Sequence, residues 1–103
     1  MTEFDQYKFD AVYKYLSIGF PGLPIDQTYD EDRMALIFSV KNNDEIYVVK
    51  FTKKYWDRCD ANTLFKRLKI LDVANALRKN PKKNVVVNVS ISLGFEPKQE
   101  VQH

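Results

Sequence analysis

The chain has 103 residues, 45% of them hydrophobic and 14% aromatic, with 16 basic and 14 acidic side chains giving a net charge of +2. This is the size of one domain, and the apolar fraction excludes general disorder, because there is enough to bury to offset chain entropy. Cys59 is the only cysteine and His103, at the last position, the only histidine; an internal disulfide, a thiolate-rich zinc site and histidine-based catalysis within the body of the chain are therefore excluded.

The opening MTEFDQYKFD carries acids where an export signal needs a basic start and an apolar run, and no stretch is apolar for long enough to cross a bilayer. A soluble, cytoplasmic protein is expected. Thr2 as a cap, with Glu3 and Asp5 in the first turn, predicts a helix over 3–18 that ends at Gly19 before Pro21. Its apolar face holds Phe4, Tyr7, Ala11, Tyr15 and Ile18, widened by Phe9, Val12 and Leu16, with Glu3, Asp10, Lys14 and Ser17 opposite. Residues 20–33 contain Pro21, Gly22, Pro24 and the run Asp30-Glu31-Asp32 without a sustained period, and read as a loop. Asp26, Asp30 and Asp32 lack the glycine and terminal glutamate of a calcium loop, so no metal is implied.

Residues 34–41 alternate, with Met34, Leu36, Phe38 and Val40 on one side and Ala35, Ile37, Ser39 and Lys41 on the other, which predicts a half-buried strand. Asn42-Asn43-Asp44-Glu45 supplies turn residues, and 46–51 resume the alternation as the second arm of a hairpin. A loop of two or four residues sets Tyr47, Val49 and Phe51 on the face of Leu36 and Phe38. Thr52 caps a short helical turn over 53–56, and Asp60 caps a longer helix over 61–79 that ends at Asn80-Pro81. In that longer helix Leu64, Phe65 and Leu68 point one way while Ile70, Val73, Ala74 and Leu77 point nearly the other way. Either it kinks near Lys69 or both its faces are covered, since a straight helix would set Arg67 and Arg78 among apolar residues at high cost. Residues 85–93 form the last strand, with Val85, Val87, Val89, Ile91 and Leu93 inward, stopped by Gly94 and Pro97.

The expected fold is a single α+β domain over 1–97 with a frayed tail at 98–103. Its order is α-β-β-α-β, with a three-stranded antiparallel sheet in the order 2-1-3 and both helices on one face. The other face would carry Ile37, Ile46, Val48 and Val86 among polar residues, an apolar patch of the kind that a terminus or a second protomer in a homodimer covers.

Charge is the clearest functional signal. Residues 50–83 sum to +8, residues 1–49 to −5 and residues 84–103 to −1. Lys53, Lys54 and Arg58 flank the start of the second helical region, Lys66, Arg67 and Lys69 its middle, and Arg78, Lys79, Lys82 and Lys83 its end. Those residues are the predicted partner-binding set, read as an electropositive surface for an anionic macromolecule, nucleic acid or a nucleic-acid-handling complex. Part of this charge also serves helix termini and solubility. Tyr55 and Trp56, the only aromatics interleaved with that charge, read chiefly as core anchors. No glycine-rich phosphate loop, nucleophile with a base or cofactor fingerprint is present, so no enzyme activity and no cofactor are expected. The alternative is an interaction or inhibitor protein, of the type phage and mobile elements encode, that docks on an acidic protein surface without touching nucleic acid.

Overall fold

The computed structural model describes residues 6–87 and 93–97. Helix α1 (Gln6–Gly19) precedes strands β1 (Ile25–Asp30), β2 (Ala35–Asn42) and β3 (Glu45–Thr52). Helices α2 (Lys53–Arg58), α3 (Ala61–Leu71) and α4 (Val73–Lys79) then lead to β4 (Lys83–Val87) and β5 (Leu93–Pro97). The strands lie in chain order in one sheet, and all neighbours are antiparallel except β3 and β4, which are parallel. The α+β class holds; the three-stranded, all-antiparallel sheet does not.

The β2–β3 hairpin follows from its alternation. Asn42 pairs with Glu45 across a two-residue loop in which Asn43 takes φ 56°, a left-handed backbone that asparagine tolerates. Leu36, Phe38 and Val40 thereby lie opposite Phe51, Val49 and Tyr47 on the helix-covered face. Met34, expected to begin the inward row, instead has φ 50° and is 56% exposed, and its carbonyl accepts a hydrogen bond from the Lys53 amide at 2.9 Å.

The expected loop over 20–33 contains β1, which pairs along β2 from Ile25 opposite Val40 to Asp30 opposite Ala35. This strand has an apolar residue only at its two inward ends, Ile25 and Tyr29, and an exposed Gln27 between them, so no alternation marks it. By taking the outer edge of β2, β1 fills the place assigned to the last strand, and β4 pairs with β3 on the other side. The connection through three helices is long enough for such a parallel crossover. The expected strand over 85–93 is also two elements: Val87 ends β4 and pairs with Leu93, which begins β5, so Gly94 and Pro97 lie inside a strand rather than stopping one. Val89 and Ile91 lie outside the described residues, as do the Thr2 cap, Glu3 and Phe4 of the first helix and the 98–103 tail.

The predicted 61–79 helix breaks, three residues beyond Lys69. Asp72 adopts φ 52° and ψ 52°, closing α3 and opening α4. The break lets Leu64 and Leu68 of α3 and Val73 and Leu77 of α4 all enter the core, which one straight helix cannot do. Asp72 gives α4 no side-chain cap. The cap comes from α1 instead, where the Tyr15 hydroxyl accepts a hydrogen bond from the buried Ala74 amide at 3.0 Å.

Helix α1 packs chiefly on α3 and runs in the same direction as the crossover, with Lys8 at Trp56, Tyr15 at Phe65 and Ala74, and Gly19 at Arg78. Its buried stripe is therefore Lys8, Val12, Tyr15 and Leu16, rotated from the expected face so that Tyr15 stays buried while Tyr7 and Ile18 are 76% and 65% exposed. The Lys8 ammonium reaches out of this stripe to the Trp56 carbonyl at 2.7 Å, so its burial is compensated by a charge-assisted hydrogen bond. Gly19 allows the close approach to α4, because a Cβ there would lie 2.9 Å from the Ala74 Cβ. Trp56 centres the core, with ring centroids of Phe9, Phe51 and Phe38 at 5.4, 5.5 and 6.2 Å.

Replacing Tyr15 by Phe keeps the ring but leaves the buried Ala74 amide without its acceptor. A loss of about 1–3 kcal/mol is expected in urea unfolding. A change within the error of that measurement would show that the hydroxyl does not cap α4.

Candidate anion-binding surface

Two local caps set the basic helices in place. Thr52 Oγ1 accepts from the Tyr55 amide at 3.3 Å and starts α2, while Asp60 Oδ1 accepts from the Thr63 amide at 2.7 Å and starts α3. The hydrogen bonds from Thr63 hold the Asp60 carboxyl below its ordinary pKa, with Lys66 and Lys8 adding a smaller electrostatic effect. Both caps were expected from sequence.

Lys53 and Lys54 begin α2 at the edge where β3 finishes, and Arg58 closes it. Lys53 is half-buried and pairs with Asp57 at 2.6 Å, a bond that raises the Lys53 pKa. Lys54 is exposed beside it, and the two line a shallow depression of about 360 Å³ with Arg33, Met34, Thr52 and Asp57. Arg58 is exposed.

Lys66 and Lys69 are exposed on α3. The Lys69 ammonium lies 5.5 Å from the centre of the Phe65 ring, and Lys14 of α1 lies 5.8 Å from the same centre. One half-buried phenyl thus holds two cations from different helices, each attracted by the negative face of the ring. Arg67 differs in being half-buried near the Tyr55 hydroxyl. Arg78 is also committed internally: its guanidinium donates to the Gly19 carbonyl and lies over Phe20, 4.7 Å from the ring centre. Lys79, Lys82 and Lys83 are exposed where α4 passes into β4.

Because β4 is parallel to β3, the crossover starts at one end of the sheet and returns to the other. Lys53, Lys54 and Arg58 therefore lie at the opposite end from Lys79, Lys82 and Lys83, with Lys66 and Lys69 on the helix between. An eight-residue strand such as β3 spans about 26 Å at roughly 3.3 Å per residue, which sets the scale of that separation. The structure brings Lys53 together with Lys54 and Arg33, and Lys69 with Lys14; it does not gather the whole set into one cluster. Lys14 and Arg33 were not in the predicted set, and no sequence signal marks them, since each joins it through packing of distant segments.

Four ion pairs form among the described residues: Arg33–Asp30, Lys41–Asp26, Lys50–Glu96 and Lys53–Asp57. Only the last uses a predicted contact residue. Asp30 has a further local role, accepting the Arg33 amide at 3.2 Å in the turn after β1. Lys50 and Asn84 both bind Glu96 on the sheet face away from the helices, and these bonds, Lys50 first, hold the Glu96 carboxyl below its ordinary pKa. The patch expected on that face is present in part: Ile46 is exposed, and Ile37, Val48 and Val86 are half-buried. Tyr55 and Trp56 are core residues and offer no stacking platform.

Comparison with known protein families, curated proteins and solved structures finds no match to this chain. No described helix is long and apolar enough to cross a membrane.

Burial, followed by the Cys59 side chain, pushes the Tyr55 hydroxyl up to about 12 from its ordinary 10.0, with Arg67 opposing. A raised folded-state pKa stabilises the fold fully below the unfolded value, and that contribution is lost as pH climbs through the folded one. Stability is expected to fall between about pH 10 and about 12, and to fall less steeply in Tyr55→Phe. Parallel denaturant midpoints across that range measure it; identical slopes for the two proteins would contradict the assignment.

Proposed function

We propose that the protein is a small non-enzymatic binding module whose helix layer engages an anionic macromolecule, nucleic acid or a nucleic-acid-handling complex. The observation that carries this reading is that Lys54, Arg58, Lys66, Lys69, Lys79, Lys82 and Lys83 are exposed and outside the four ion pairs formed among the described residues. The acids of β1 and the hairpin do not neutralise them. Arg67 and Arg78 are better read as structural, because one is half-buried and the other bonds α1. Lys14 joins the contact set through Phe65, and Arg33 through the depression it shares with Lys54.

The spread of these cations along the sheet favours an extended polyanion over a small anion. Tyr55 and Trp56 are interior, so binding runs through phosphates and counterion release rather than base stacking. One observation favours docking on an acidic protein surface instead: Ile70 is 77% exposed beside Lys69, and an aliphatic side chain adds little to phosphate contact but much to a protein interface.

Fluorescence anisotropy with a duplex and a single-stranded oligonucleotide, across a salt series, separates these readings. For nucleic acid, log affinity falls linearly with log salt by about 0.9 per duplex phosphate contact; Lys66→Glu/Lys69→Glu reduces both affinity and slope, and Ile70→Asp changes neither. For protein docking, free oligonucleotides do not bind, and Ile70→Asp abolishes capture of partner from nuclease-treated lysate. Unaltered binding by the Lys66→Glu/Lys69→Glu protein would remove this surface from the account.

A further inference from the structure

The helix layer stops short of β1. Gln27 lies opposite Phe38, at a position that faces the core side of the sheet, yet it is exposed, whereas Phe38 is only 2% exposed. Two adjoining hollows follow from this, of about 190 and 210 Å³. Phe9, Ile25, Phe38, Leu36 and Tyr29 supply the apolar lining, and Gln6, Asp10 and Gln27 the polar rim of a groove between α1 and β1. Among the described residues, no lysine or arginine lines either hollow.

The strand beside this groove presents backbone hydrogen-bonding groups outward. The Lys41 amide donates to the Pro24 carbonyl at 3.0 Å, which fixes Pro24 and Lys41 as a hydrogen-bonded pair in the register that sets Ile25 opposite Val40. Such pairs alternate along an antiparallel ladder, so Asp26 and Thr28 bond to β2 while the N–H and C=O groups of Ile25 and Gln27 point away from the sheet. Among the described residues β1 pairs only with β2. An outward ladder above an apolar groove is the arrangement that accepts an added strand.

Charge selects the occupant. Asp10 rims the groove, the Asp26 side chain lies with Lys41 on the other face of the same edge strand, and the chain leaves β1 through Asp30, Glu31 and Asp32. Asp26 pairs with Lys41 at 3.3 Å but its side chain stays 61% exposed, open to a second cation. Pairing of two β1 edges from two copies would crowd both sets of Asp26 and Asp30 on one short seam, and like charges facing each other across strands destabilise them. We infer that β1 and the α1–β1 groove form a docking site for an extended basic peptide, which adds as a strand to Ile25 and Gln27, sets alternate apolar side chains into the groove and turns its intervening lysines or arginines toward Asp26 on the other face of this acidic edge. This site is distinct from the cationic helix surface and uses the opposite charge.

The test is amide hydrogen exchange of the whole protein with the peptide Ac-Lys-Val-Lys-Val-Lys-Val-NH₂ and its Glu-for-Lys counterpart. The lysine peptide should slow exchange at Ile25 and Gln27 by tenfold or more at saturation, with no effect from the glutamate peptide. Gln27→Pro, which removes an outward donor, should abolish the response; Asp10→Lys, on an exposed helix position that leaves the strand untouched, should weaken it severalfold. Equal protection by both peptides, protection confined to other residues, slowed exchange at these amides caused by an oligonucleotide, or concentration-dependent dimerisation that protects them without peptide would overturn the inference.

Discussion

The crossover between β3 and β4 must bury two apolar stripes that lie out of phase, and the left-handed residue at Asp72 is what reconciles them. A left-handed backbone costs an L-residue about 1–2 kcal/mol. Against that stand four side chains, Leu64, Leu68, Val73 and Leu77, each at most 1% exposed, and burial of one such side chain is worth about 1.5–3 kcal/mol. Packing therefore wins over local preference. Tyr15 and Gly19 secure the outcome from α1, one by accepting the Ala74 amide and the other by letting the helices meet closely.

The charge display depends on the same break. With the apolar stripes of α3 and α4 both turned to the core, Lys66, Lys69 and Lys79 are left on the outside. Arg78 emerges beside the end of α1 and binds it there, and the half-buried Arg67 lies near Tyr55. The parallel return to β4 then spreads the remaining cations over the length of the helix layer, while the acids collect around β1. A nearly neutral chain thus acquires regions of opposite sign: exposed cations spread along the helices, and an acidic sheet edge beside the α1–β1 groove.

What could be read from sequence was local. The hairpin was legible because alternation and turn residues sit within one short window, and the Thr52 and Asp60 caps because capping chemistry acts over three residues. The conflict of phase in 61–79 announced a break, but nothing near Asp72 marked its position, since tertiary packing chose it. Strand β1 was illegible for a physical reason: with its middle uncovered, Gln27 needs no apolar side chain, so the alternation that identifies a covered strand is missing. Without β1 the edge of β2 looked vacant, and the order 2-1-3 followed. The same distinction divides the site. Which residues are cationic was plain, whereas the internal engagement of Arg78 and the recruitment of Lys14 through Phe65 depend on contacts across more than fifty residues of chain.

The break at Asp72 is most directly tested by backbone carbon-13 chemical shifts for residues 61–79 in solution. Two helical runs separated by a left-handed signature at Asp72 are expected. Unbroken helical shifts through Asp72 would mean one straight helix, would turn Arg67 or Arg78 toward the core, and would contradict both the packing and the cationic surface built upon it.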